Sequence, residues 1–440
     1  MAAKKILIKG ARLLTCDGEG NVLDGDVLIE DGRIAAITPH AGAALPFQGE
    51  TIDGHGQLLL PGFVQTHVHF CQTLFRGAAD DLALIDWLRD RIWPFEAGHT
   101  PESLDLSARL SIAELIAGGT TTALTMETVH HTEVVFAAVA ETGFRAIVGK
   151  CLMDEKAETP PGLYQETEEA LAEAKSLIDR WHGRENGRLR ACLAPRFALA
   201  CTRELLGMTA ELARRRGVLI HTHASENRDE IAMVEARTGL RNLPYLDSLQ
   251  LTGPDVVLAH CVHLDEGERQ ILRQTGTHVA HCPSSNLKLG SGIADIVTLR
   301  AAGINVTLGA DGAPCNNRLD MFTEMRTAAL LPKPVHGPSS LPARELIRMA
   351  TIGGARALGL HHEIGSIELG KRADLQLIDL DHCSTTPHPD PYSTLVYAAS
   401  PANVRTVIID GQIVMRDREL LTLRINDLLR AAIQWSNRSL

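Results

Sequence analysis

Apolar residues fall into two recurring patterns along this chain. Between about residues 57 and 312, runs that are nearly continuous in apolar side chains recur: Leu59–His69, Thr121–Glu127, Ala146–Leu152, Arg190–Arg196, Val218–Ala224, Val256–Val262, His278–Pro283 and Val306–Asp311. Such runs suit parallel strands covered on both faces. Most are separated by stretches such as Ser103–Ala117, Thr167–Trp181, Arg203–Arg215 and Glu266–Gln274, where apolar residues recur at helical steps with charges between. That spacing predicts amphipathic helices. Strand–helix alternation means βαβ units and a parallel α/β sheet. Eight strands is the number that closes a (β/α)8 TIM barrel.

The two ends read differently. Lys5–Lys9, a turn at Asp17–Gly20, Asp26–Glu30, a turn at Asp31-Gly32 and Ile34–Thr38 follow one another closely. Asp374–Leu380, Val404–Ile409, a turn at Asp410-Gly411 and Gln412–Met415 repeat the style. These are hairpin signals. They predict a small β-sandwich domain formed from both chain ends. The expected divisions are 1–58 for its N-terminal part, 59–365 for the barrel, and 366–440 for its C-terminal part with a terminal helix. A length of 440 residues fits one large barrel with an appendage.

Composition removes several function classes. With 45% apolar and 22% charged residues the chain is not globally disordered. Its 43 Lys and Arg against 54 Asp and Glu give a net charge of −11, which argues against a nucleic-acid polymer as partner. The first apolar run is short and interrupted by Lys9, unlike a signal peptide. No stretch approaches the roughly 18 uncharged apolar residues that span a bilayer, so no membrane partner is expected. The nine cysteines are scattered without a CxxC pair, as expected of reduced thiols in a cytoplasmic enzyme.

The candidate chemistry sits at the C-terminal ends of the expected strands, where barrel enzymes keep their active sites. The first run ends in His67-Val68-His69; residues i and i+2 of a strand share a side, so both imidazoles can face one ion. The fifth ends in His221-Thr222-His223-Ala224-Ser225-Glu226, the sixth carries His260 and His263, the seventh His281, and the eighth ends in Asp311. One such pair could be ordinary surface or core histidines. Ionisable groups buried at one end of five strands need partners or a ligand. Neutral imidazoles with a carboxylate suit zinc, and also iron or manganese. Such an ion lowers the pKa of a bound water, and a carboxylate outside the ligand set can carry the proton.

HxH on the first strand, HxxE on the fifth, His on the sixth and Asp on the eighth resemble the amidohydrolase superfamily. The segments Leu60–His69 and Gly365–Gln376 carry the same resemblance. Binuclear members of that superfamily use a carboxylated Lys on the fourth strand, and Arg190–Arg196 has no Lys. Lys150 lies on the third strand and reads as structural. The resemblance therefore implies one divalent metal, the pattern of the deaminase branch. It implies His67, His69, His223 and Asp311 as ligands and Glu226 as proton shuttle. It implies that His260 polarises the attacked centre or holds the hydroxide, and that Asp311 also accepts a proton. His221 is the rival for His223, but only His223 has Glu three residues on. His263 and His281 read either as supports behind the ligands or as core, with core favoured. Barrels of this class pair, so a homo-oligomer is expected.

Arg76–Leu82, Asp86-Trp87-Leu88, Pro94-Phe95-Glu96 and Ala310–Met321 resemble the methylthioadenosine, S-adenosylhomocysteine and 5′-deoxyadenosine deaminases. That implies Trp87 and Glu96 in a nucleoside pocket, the Glu on ribose hydroxyls by charge-assisted hydrogen bonds. Gln72, Pro195-Arg196-Phe197, Ser225–Glu230 and His281–Leu287 resemble guanine deaminase instead, where Gln, Arg and Phe grip the purine. Met126 and Cys315 complete the substrate-facing set. The Leu287–Gly292 run resembles the 5′-deoxyadenosine group, which combines both sets. The implied reaction is hydrolytic deamination of an adenine nucleoside with a small 5′ substituent. Guanine or 8-oxoguanine deamination, s-triazine hydrolysis and a metal-binding scaffold without turnover are the alternatives.

Overall fold

The computed structural model describes residues 5–39 and 47–439; the reading of Met1–Lys4 lies outside them. Eight parallel strands form the barrel: β6 (Phe63–Val68), β7 (Thr120–Met126), β8 (Arg145–Leu152), β9 (Leu189–Pro195), β10 (Leu219–Ala224), β11 (Val256–His260), β12 (His278–His281) and β13 (Val306–Leu308). They pair in sequence order, and a bridge from Val68 to Asp311 joins the last to the first. Closure is tight there. A Cβ on Gly309 would lie 2.6 Å from the His67 carbonyl, so a larger residue would hold the edges apart.

The expected helices form nearly at their predicted limits, as Pro101–Ala117, Thr167–Trp181, Arg203–Arg216 and Glu266–Thr275. Thr100, Thr202 and Asp265 accept backbone N–H groups at three of their starts, and Gly217 and Gly276 end two of them in left-handed geometry. Helix Thr132–Thr142 was not predicted. Its Val134-Val135-Phe136 run masks the period, and tertiary packing overrides that local preference. No described helix is long and apolar enough to cross a membrane.

The chain ends form one continuous nine-stranded sheet. Its strands are β1 (Lys5–Leu14), β2 (Val22–Glu30), β3 (Arg33–Pro39), β4 (Glu50–Asp53), β5 (Gln57–Pro61), β14 (Leu375–Asp379), β15 (Val404–Ile409), β16 (Gln412–Arg416) and β17 (Glu419–Leu420). It has its own apolar core of residues such as Ile8, Leu13, Ile29, Leu375 and Ile408. The run Leu59–His69 is therefore two strands in two sheets, β5 and β6, parted at Gly62. Pro61 offers no N–H to continue a ladder, and a Cβ on Gly62 would lie 2.1 Å from Thr121.

One buried ion pair bolts the sheet to the barrel. Arg145 on β8 donates through Nε and Nη2 to the two oxygens of Asp374 at 2.6 and 2.9 Å. Asp374 Oδ1 also accepts the Asp410 N–H at 2.8 Å. Removing one partner of a buried pair strands the other charge. Asp374→Ala should cost about 3–5 kcal/mol in denaturant unfolding; a loss within the range of an exposed substitution would show that the pair holds nothing together.

Candidate active site

The strand ends converge, and the tightest group holds His260 where the expected ligand set has His69. Ligand-capable atoms of His67, His223, His260 and Asp311 lie within 4.8 Å of one another. His69 adjoins them, its Nε2 3.2 Å from Asp311 Oδ1 and its ring stacked 5.5 Å from that of His223. His67, His69, His260 and Asp311 are buried and His223 half-buried.

Hydrogen bonds behind the rings fix which nitrogen faces the centre. His69 Nδ1 donates to the Met126 carbonyl at 2.8 Å, and His223 Nδ1 to the Arg196 carbonyl at 2.6 Å. His221 Nδ1 donates to the Val257 carbonyl at 2.9 Å, so its Nε2 accepts from His67 Nδ1 at 2.7 Å. With Nδ1 of His67, His69 and His223 each committed behind the ring, Nε2 is the nitrogen that each turns to the centre. Against them stands Asp311 Oδ1, 3.1 Å from His67 Nε2. His67 Nε2 has no hydrogen-bond partner although buried. Acceptors facing acceptors in a dry site are unfavourable unless a cation lies among them. The donor set fits a divalent ion.

Charge states follow the same geometry. Burial pushes His67 down to about 4 and His221 and His223 well below their ordinary value, so these rings are neutral. Burial opposes ionisation of Asp311 too, but His67 and its neighbouring rings outweigh it and hold the carboxyl well below the usual range. Burial raises Glu226 to about 7. Burial also opposes a charge on His260, yet Glu226 and Asp311 outweigh it and raise this ring. His260 Nε2 lies 3.4 Å from Glu226 Oε2 and 3.8 Å from Asp311 Oδ2.

One short segment supplies supports that sequence reasoning missed. Helix Pro283–Lys288 and its exit carry Ser285, which donates to Asp311 Oδ2 at 2.7 Å, and Asn286, whose Oδ1 accepts from His260 Nδ1 at 2.8 Å. Ser291 Oγ lies 3.3 Å from Glu226 Oε1. The run His281–Leu287 marked this stretch, but not its contacts. His221 supports His67 rather than competing with His223. Positive φ at Ser225, His260 and Asp311, 53°, 71° and 64°, turns three strand ends inward, a strain that accumulates at functional sites. His281 is buried, as expected; His263, expected in the core, is only half-buried and its Nε2 donates to the Ser291 carbonyl at 2.6 Å. Lys150 Nζ donates to Val129 O and Gln165 Oε1 at 2.7 and 2.9 Å, a structural tie.

The substrate-facing set divides. Trp87, Arg196 and Phe197 line the cavity beside His69, His223, Glu226, His260 and Asp311, with Leu84, Leu88 and Leu289. Gln72, Glu96, Met126 and Cys315 are not on that lining. Glu96 is buried; both its oxygens take Arg196 Nη1, at 2.8 and 3.1 Å, and Oε1 also takes Gln72 Nε2 at 2.8 Å. Arg196 is thus a neutralised part of the wall rather than an open fork. Met126 contributes its carbonyl, and Cys315 Sγ donates to the Gly312 carbonyl at 3.1 Å.

The amidohydrolase family model matches residues 58–414, barrel and flanking strands together. The chain belongs to the amidohydrolase family. Amidohydrolases are metal-dependent, which suits the inward-facing acceptors of this one. The chain is 42% identical over 421 residues to a 5-methylthioadenosine/S-adenosylhomocysteine deaminase of Pelotomaculum thermopropionicum, covering 95% of each. It is 41% identical over 425 residues to a 5′-deoxyadenosine deaminase of Methanothermobacter thermautotrophicus, covering 96% of each. The structure of an adenosine deaminase from Xanthomonas campestris with bound zinc superposes with a TM-score of 0.93 at 36% identity, over 99% of this chain and 98% of that one.

Two outcomes test this amidohydrolase site. Asp311→Ala removes the one carboxylate among the facing acceptors, so metal content by elemental analysis should fall by about tenfold or more; full stoichiometry would contradict the geometry. Glu324 accepts from Asn316 Nδ2 and the Ser284 N–H at 2.8 and 3.2 Å, and burial raises it to about 8. Between its ordinary value of 4.5 and about 8 the folded state holds the extra proton, so stability declines as pH rises across that window. Glu324→Gln should flatten the decline in pH-dependent unfolding.

Proposed function

We propose that this protein deaminates an adenine nucleoside carrying a small 5′ substituent, releasing ammonia from C6. The observation that carries the reading is the convergence of bare imidazole lone pairs and Asp311 beside the buried carboxyl of Glu226. The names of its relatives support an adenine nucleoside over guanine or a triazine. We assign His67, His69, His223 and Asp311 to a single divalent ion, and zinc fits that set best. When bound, the ion lowers the pKa of water and polarises the attacked centre.

The chain's own groups do the rest. Glu226 takes a proton from the attacking water and delivers it to purine N1, then helps ammonia leave. Its burial suits both tasks, because a carboxyl raised to about 7 exchanges protons near neutrality. His260 is held by Asn286 with Nε2 towards Glu226 and Asp311, where it can hold the attacking oxygen. Asp311 accepts the water's other proton and returns it to the departing amino group, which leaves as ammonia. Trp87 and Phe197 supply aromatic faces for the base, and Glu96 and Gln72 act through Arg196 by fixing the wall.

The test is ammonia release by the metal-loaded protein from adenosine, 5′-deoxyadenosine, methylthioadenosine, S-adenosylhomocysteine, guanine, 8-oxoguanine and hydroxytriazines. Turnover should concentrate on the adenine nucleosides. Glu226→Gln should lower kcat by about 10²–10⁴-fold with metal content unchanged; turnover surviving that change would remove Glu226 from its role, and preference for guanine or a triazine would overturn the substrate.

A further inference from the structure

Outside the site, three loops meet on one ammonium group. Lys288 ends helix Pro283–Lys288, and its Nζ donates to Asp80 Oδ1 at 2.5 Å, to the Pro314 carbonyl at 2.8 Å and to Asn317 Oδ1. An ammonium has three N–H groups, so these partners use all of them. Asn317 sits at φ 67° and gives its backbone carbonyl to Arg76, which is itself paired with Glu114. Arg76 and Asp80 are thereby pinned together, at the start of a strap that runs over residues 76–88. The runs Arg76–Leu82 and Leu287–Gly292, both conspicuous in the sequence, meet at this point.

Each tethered loop leads to the site. The strap continues into Leu84, Trp87 and Leu88 on the cavity wall. The helix behind Lys288 carries Ser285 and Asn286 against Asp311 and His260, and Leu289, next along the chain, lines the same cavity. Pro314 and Asn317 follow directly from Asp311. Gly77 and Asp81 within the strap both have positive φ, 73° and 60°. The Lys288–Asp80 pair is partly exposed, with 24% and 48% of the side chains accessible. A pair of that kind adds only about 0–1 kcal/mol to stability, so its place in the molecule calls for another account.

We propose that Lys288 is a positioning residue that holds the 76–88 strap over the cavity, in register with the helix that supports Asp311 and His260. Substrate affinity then depends on it, while metal binding and global stability do not. The kinetic part rests on the nucleoside reading above; the structural part does not.

The test compares wild type, Lys288→Met, Lys288→Arg and Asp80→Asn as metal-loaded full-length chains. Hydrogen exchange by mass spectrometry should accelerate about tenfold at 76–88 in Lys288→Met and Asp80→Asn, with barrel strands and metal content unchanged. With a nucleoside that turns over, KM should rise about tenfold in both, kcat should stay within about twofold in Asp80→Asn, and Lys288→Arg should recover most of the loss. Unchanged exchange at 76–88, or acceleration shared equally by the barrel, overturns the proposal. Unchanged KM with faster exchange overturns its functional half. If no nucleoside is deaminated, the substrate reading fails while exchange still decides the strap.

Discussion

A carboxylate oxygen and several imidazole lone pairs crowd together without a proton to share. That is the constraint on which this structure turns. Each of the His67, His69 and His223 rings has spent its N–H on a carbonyl or another ring behind it, so these imidazoles have no proton to offer in front, while Asp311 draws on the Gly312 N–H and the Ser285 hydroxyl. A cation would satisfy the remaining lone pairs together, and the barrel is the rigid frame that keeps the acceptors from turning away. The energy that holds the frame comes from apolar burial and from strand ladders. The site is a small polar defect that this large apolar assembly can sustain.

The frame also explains how distant residues meet. Closure between β13 and β6 at Gly309 brings Asp311 beside His67, because the Asp311 N–H donates to the His67 carbonyl at 3.0 Å. Left-handed turns at Ser225, His260 and Asp311 then aim the strand ends inward. The Arg145–Asp374 pair, its partners 229 residues apart in sequence, fastens the end sheet to the barrel. The helix Pro283–Lys288 performs two tasks, supporting the polar centre from one face and carrying the Lys288 tether at its end. Support of the chemistry and enclosure of the cavity are therefore mechanically connected.

Much of this was legible beforehand. The eight apolar runs, four amphipathic helices and the hairpin ends arise from local periodicity, which depends on burial and is written directly in residue order. The candidate metal cluster was legible because HxH, HxxE, His and Asp all fall at strand ends. What could not be read was pairing across the site. Glu96 and Arg196 are each plausible as a free ligand for substrate, and only their approach to 2.8 Å shows that they neutralise one another. His221 looked like a competitor of His223 until its ring was found behind His67.

Residue order by itself determined the architecture, the acidic charge, and which side chains could carry metal chemistry, because these follow from composition and from patterning within a few residues. Tertiary structure decided which nitrogen of each histidine faces inward, which carboxylates are already satisfied, and that Ser285, Asn286, Ser291 and Lys288 serve the site. Those outcomes depend on distances between segments that lie tens to hundreds of residues apart, and a hydrogen bond has no signature in the sequence until folding brings its two halves together.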